Sequence, residues 1–159
     1  MKQKELSVWL IAIDLLFAAC CAILAYPIAP ELWKEVAGAY PEFGPLYPVC
    51  LGFTEVTAIP VFASAYLAWR IFADIGRDNS FCEANALRLR AISRLALADT
   101  GAYIAGALVL FFRNLLHPGL RAAAFAVIFA GLCITVVCAA LSHLTRKAAQ
   151  LKRDSDLTI

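Results

Sequence analysis

Charge is scarce in this chain: only 16% of its 159 residues are Asp, Glu, Lys or Arg, where a soluble domain carries about a quarter. Catalytic signatures are scarcer still. The sequence has no H-E-x-x-H, no glycine-rich phosphate loop, no G-x-S-x-G elbow and no C-x-x-C. The usual marks of zinc proteases, nucleotide-binding enzymes, serine hydrolases and thiol oxidoreductases are therefore missing. Histidine occurs only at His117 and His143, one in the last turn between apolar runs and the other near the far end of the final run. They cannot easily meet around a metal, and structural zinc sites need close ligand spacing. The expectation is a non-enzymatic protein with no cofactor and no metal.

What the chain has instead is hydrocarbon, 62% of its residues being hydrophobic. Four apolar runs cover roughly Leu6–Tyr26, Leu46–Ile71, Ile92–Phe112 and Leu120–Leu144. A helix of about 20 apolar residues crosses the hydrocarbon core, and each run is that long. Barrel strands would alternate apolar and polar over about ten residues, which these runs do not. The fold class expected is all-α, an integral membrane four-helix bundle forming a single transmembrane domain over residues 1–159. Lys2 and Lys4 ahead of the first run resemble a secretory signal, but the run is as long as a span and contains Asp14, so it is read as retained.

Lys and Arg accumulate on the cytoplasmic side of membrane helices. With the N-terminus inside, that side holds Lys2, Lys4, Arg70, Arg77, Arg88, Arg90, Arg94, Arg146, Lys147, Lys152 and Arg153, against Lys34, Arg113 and Arg121 outside. Both termini are therefore expected in the cytoplasm. The net charge of +2 conceals this bias, which favours anionic lipid head groups and gives no reason to invoke nucleic acid.

Pro27 and Pro30 should end the first helix. Pro30 could open a short helix on the outer surface, with Glu31 near its positive end and Trp33, Val36 and Tyr40 on one face. Pro60 predicts a kink in the second span, with Thr57 or a neighbouring helix meeting the freed carbonyl. The short turn Asn114–Gly119 makes the third and fourth spans an antiparallel hairpin. Small residues pair at four-residue spacing as Ala102 and Gly106, Gly101 and Ala105, Gly131 and Thr135, and Ala18 and Ala22; such pairs let helices approach closely in lipid. Of six cysteines, Cys20, Cys21, Cys50, Cys133 and Cys138 lie in or beside spans and Cys82 in the inner loop. Buried cysteine behaves as a small hydrophobe, and a bridge from Cys50 to Cys20 or Cys21 stays open.

Ser80 and Glu83 have capping-box spacing, and from Phe81 no proline or glycine intervenes until Gly101. The third spanning helix is thus expected to begin in the cytoplasm. Its extension would carry Arg88, Arg90 and Arg94 as phosphate anchors or as part of a docking surface. The charged tail Thr145–Ile159 is expected to fray.

Three carboxylates, Asp14, Glu55 and Asp99, lie within spans. A charge in the bilayer centre costs at least about 2.5–3.5 kcal/mol, so such groups usually face the bundle interior and pair. Asp14 and Asp99 should sit at similar depth in the inner half, where Arg70 and Arg94 could join them. Glu55 lies nearer the middle. These residues serve either as bundle glue or as a proton or cation relay.

The run Phe81, Glu83, Asn85, Leu87, Arg88, Leu89, Arg90 and Ile92 resembles the signature of a bacterial family of small four-helix membrane proteins, domain of unknown function 2975. Asn79-Ser80 before Phe81 departs from the Gly or Pro expected there. The resemblance implies a multi-pass protein of the bacterial cytoplasmic membrane. It also implies, by association, a role beside a helix-turn-helix regulator. On that basis Phe81, Glu83, Asn85, Arg88, Arg90 and Arg94 become the candidate partner-docking residues, and Asp154 and Asp156 a small acidic end that a DNA-binding domain could meet. The other readings are a small transporter or transport accessory using Asp14, Glu55 and Asp99, and a bundle that self-associates through its small-residue faces.

Overall fold

The computed structural model describes residues 3–156. Lys2 and residues 157–159 of the tail lie outside them, as does the side chain of Asp156. Helix α1 runs Gln3–Ile23, α2 Ala29–Ala39, α3 Tyr47–Ile75, α4 Glu83–Phe112 and α5 Pro118–Asp156. Four helical stretches are long and apolar enough to cross a membrane: Gln3–Ala39, α3, α4 and the length of α5 to Ser155. Large apolar side chains point outward along them, among them Trp9, Phe17, Val56, Phe112 and Phe125. This inverts a water-soluble fold, as a lipid solvent requires.

The first helix does not stop at its prolines. A π turn, Leu24–Ile28, carries α1 into α2, with the Ala29 N–H donating to the Leu24 carbonyl. A π turn links residues five apart. The wider turn accommodates Pro27, which has no N–H to give and whose ring crowds the carbonyl four residues back. The expected surface helix is therefore real as α2 but continuous with α1. At about 1.5 Å per residue the combined helix outruns the hydrocarbon core, so its last turns reach past it. Trp33 and Val36 of α2 pack against Phe43, Cys50 and Leu115, and Tyr40 stacks on His117 with ring centroids 3.9 Å apart.

α3 is helical throughout, with Pro60 inside it. The Thr57 hydroxyl donates to the Phe53 carbonyl at 3.0 Å and lies 3.1 Å from the Tyr103 hydroxyl. It thus ties α3 to α4 instead of meeting the carbonyl opposite Pro60. At its amino end α1 crosses α3 closely, Ser7 donating to the Phe72 carbonyl at 2.6 Å. A Cβ at Gly76 would lie 2.8 Å from the Ser7 hydroxyl, so only glycine fits that crossing.

Both α3 and α4 end in the same hydrogen-bonded motif, with a short polar residue in the left-handed region. Asp78 has φ 58° and Asn114 φ 56°. Asn79 N–H returns to the Asp74 carbonyl and Asp78 N–H to Ile75; Leu115 N–H returns to Leu110 and Asn114 N–H to Phe111. This is the Schellman pattern, with Asp and Asn serving where glycine is commoner. The Leu115 bond to Leu110 plants Leu115 in the core.

The helices pack in order, α1 on α3, α3 on α4 and α4 on α5, and no other pair of spans packs extensively. The α4–α5 hairpin is the most extensive contact. Withdrawn positions on α5 recur as Ala124, Ile128, Gly131, Thr135, Cys138, Ser142, Thr145 and Ala149, in alternating steps of four and three. On α4 they recur as Ala86, Leu89, Ser93, Ala96, Thr100, Tyr103, Ala107 and Leu110. That 3.5-residue repeat is the seam of a left-handed helix pair. In lipid it is held by close approach and hydroxyl bonds, since hydrocarbon offers no hydrophobic drive between helices. Ser142 donates to the Ala86 carbonyl at 2.7 Å and Ser93 to the Thr135 carbonyl at 2.9 Å. Thr145 and Ala149 continue the seam, so the tail stays helical to Asp156 instead of fraying. Arg153 adds an exposed ion pair to Glu83 at 3.0 Å. The contacts of Ser7 with α3 and of Arg153 with the start of α4 put both ends of the described chain at one end of the bundle.

Candidate functional site

The turn between α3 and α4, residues 76–82, is built around a clasp. Arg88 donates to the carboxylate of Asp74 and to the Asn85 amide oxygen at 2.6 Å. The Asn85 amide nitrogen then donates to the carbonyls of Asn79 at 3.3 Å and Ser80 at 3.2 Å. Asn85 is only 1% exposed. Its amide is thus spent on holding the turn, satisfying carbonyls that burial would otherwise leave unpaired. The expected Ser80–Glu83 capping box does not form. Cys82, in extended conformation, is the N-cap, without a side-chain bond. Ser80 lies too far ahead of the first helical residue to cap it.

The candidate docking residues therefore divide. Asn85 and Arg88 are turned into the fold, whereas Phe81, Glu83, Arg90 and Arg94 are exposed. Phe81 is 61% exposed and Leu87 62%. Arg77, Arg90 and Arg94 flank them along the chain, exposed and with no side-chain hydrogen bond or ion pair among the described residues. Glu83 is engaged by Arg153. The surface is an apolar centre within a basic rim, on a rigid helix start. Asp74 is the clasp residue that sequence reasoning missed. Its signal was an acid in the last turn of a helix, where the dipole disfavours negative charge unless a cation sits nearby.

The intramembrane polar residues are not gathered into one network. Arg70 is exposed and donates to the Tyr66 hydroxyl at 3.2 Å. Arg94 is exposed and Asp14 half-buried, and among the described residues no ion pair joins Arg70 or Arg94 to Asp14 or Asp99. One carboxylate oxygen of Asp99 is enclosed without a hydrogen-bond partner. Glu55 is exposed on the side of α3 that also presents Val56 and Ile59. All six cysteines are free thiols, so Cys50 is not bridged to Cys20 or Cys21. No group of three or more His, Cys, Asp or Glu among the described residues is placed to hold a metal.

Aligned over 161 residues, the chain is 26% identical to the uncharacterized membrane protein YoaS of Bacillus subtilis (strain 168), covering 100% of this chain and 98% of that protein. No solved structure matches it. Residues 31–159, which hold α3, the clasp, α4 and α5, match the family described as "Protein of unknown function (DUF2975)". The chain is thus a membrane protein belonging to the DUF2975 family.

Proposed function

We propose that this protein is a regulatory partner in the bacterial cytoplasmic membrane, docking a soluble helix-turn-helix regulator on the exposed start of α4. The observation that carries this reading is the pair Phe81 and Leu87, more than half exposed beside a clasp that fixes their backbone. Isolated exposed apolar residues are unremarkable inside a bilayer. Here they stand at the end of the bundle where Lys and Arg concentrate, which the positive-inside bias assigns to the cytoplasm. Aromatic residues and arginine are enriched at protein–protein contact surfaces, and Phe81 with its neighbouring arginines has that composition. The rim is basic, through Arg77, Arg90 and Arg94, so the partner's contact surface is acidic around an apolar pocket. Its own basic DNA-reading face then points elsewhere.

The transport reading has less support. Glu55 faces outward from α3, and among the described residues no hydrogen bond links Asp14, Glu55 or Asp99 to a further polar side chain as a relay would need. The docking reading is tested by crosslinking in native membranes, comparing wild type with a Phe81→Ser, Leu87→Ser, Arg90→Ala variant. Recovery of a small DNA-binding protein with wild type and its loss with the variant supports docking. Equal recovery with both, or recovery of the chain alone, overturns it.

A further inference from the structure

At the end of the bundle away from the clasp, the α4–α5 seam opens. Its residues there become too small to fill the space between helices, with Gly106 and Ala107 on α4 facing Ala123 and Ala124 on α5. The Phe53 ring lies against Gly106, 3.2 Å from where a Cβ would be, and forms part of the wall of the gap. A cavity of about 570 Å³ results among α3, α4 and α5, with Trp33 and Leu115 also in its wall. That is within the range of about 300–1,000 Å³ that holds small-molecule ligands.

The chemistry of the wall selects the occupant. Its polar atoms are already satisfied: the Trp33 indole donates to the Thr54 hydroxyl at 3.1 Å, Thr54 donates to the Cys50 carbonyl at 3.0 Å, and Tyr103 shares its hydroxyl with Thr57. Apart from the Cys50 thiol and Arg113, what remains is hydrocarbon. Val49, Val109 and Val127 line the cavity and are exposed on the lipid-facing surface, so its mouth opens sideways into the acyl layer. Arg113 also lines it, at the helix end, exposed and with no side-chain hydrogen bond or ion pair among the described residues. An apolar slot reached from the bilayer, with a cation at head-group level, is complementary to a lipid with a negative head.

We propose that this cavity holds one acyl chain of an anionic phospholipid from the surrounding membrane, with its phosphate at Arg113. A guanidinium matches phosphate geometry through paired donors. The site stands at the opposite end from the docking surface and is independent of whether that surface holds a partner.

Native mass spectrometry of the full-length protein in detergent tests this. Phosphatidylglycerol, phosphatidylcholine and free palmitate are supplied in turn at equal concentration. The expected result is one bound phosphatidylglycerol, preferred about fivefold over phosphatidylcholine, as one surface arginine contributes against an anionic lipid. Ala124→Phe fills the cavity and lowers occupancy about tenfold or more, and Arg113→Gln removes the head-group preference. Val127→Phe, which narrows the mouth, decides the matter if Ala124→Phe fails to fold. Equal binding of the two phospholipids overturns the proposal, as does preference for palmitate or undiminished occupancy in the filled variants. A lipid-free dimer seated through this cavity would also overturn it, making the occupant a second copy of the chain.

Discussion

Arg88 and Asp74 form an ion pair across the turn that joins α3 to α4, with side chains only 18% and 17% exposed. Arg88 also holds Asn85, and Asn85 holds the backbone of the turn. The arginine nearest the exposed Phe81–Leu87 surface is therefore a part of its scaffold. Arg88 and Asn85 thus shape the surface, and Phe81 and Leu87 are what it presents.

Removing Arg88 leaves Asp74 charged, largely withdrawn from water and unpaired. Arg88→Ala is expected to destabilise the protein by about 2–3 kcal/mol, the range for hydrogen bonds to charged groups. Asp74→Ala combined with Arg88→Ala should recover part of that loss, because the stranded carboxylate goes too. Unfolding of the single and double variants in mixed micelles checks this. Additive losses would mean the two residues are not coupled.

The α4–α5 seam has no room for a methyl group at Gly131. A Cβ there would lie 2.1 Å from the Thr100 hydroxyl, which is itself bound to the Ala96 carbonyl at 2.7 Å. Gly131→Ala should cost about 1–3 kcal/mol, as overpacking does, and Thr100→Ala in the same chain should restore most of it. The same micelle titration reads both.

Glu55 faces outward from α3. Glu55→Gln is therefore expected to leave proton-coupled uptake into reconstituted vesicles at the wild-type level. A loss of uptake would return the relay to consideration.

Cys82 caps α4 in the turn at the end of the bundle that holds both chain ends, and its thiol is free. With that end in the cytoplasm, a membrane-impermeant maleimide should label Cys82 in inside-out vesicles and leave it unlabelled in right-side-out ones. Cys20, Cys21, Cys133 and Cys138 lie within helices that cross the lipid and should resist the polar reagent on either side. The reverse labelling of Cys82 would invert the topology.

The spans were legible in the sequence because an unbroken apolar run of that length has few other solutions in water or lipid. The α4–α5 hairpin followed from its short connection, and the extension of α4 into the polar region from the absence of breakers after Phe81. Three features were not legible, each for its own reason. Pro27 was read as a stop, and a π turn absorbed it. The tail was read as frayed from its charge, whereas Thr145 and Ala149 continue a seam whose repeat is hidden by the small, mixed character of its residues. Within the candidate surface, Asn85 and Arg88 looked like exposed partners of Phe81. Burial of a polar side chain depends on a carbonyl or carboxylate contributed by another segment, here Asn79, Ser80 and Asp74, and spacing along one helix does not reveal it.

The exposed start of α4 is proposed to dock a soluble partner. The most direct test places a photo-crosslinking amino acid at Leu87, and for comparison at Leu132 on the lipid-facing side of α5, in cells expressing the full chain. The account predicts that position 87 captures a water-soluble helix-turn-helix protein through an acidic surface, and that position 132 does not. Capture at 87 of lipid alone, or the same products from both positions, would contradict it.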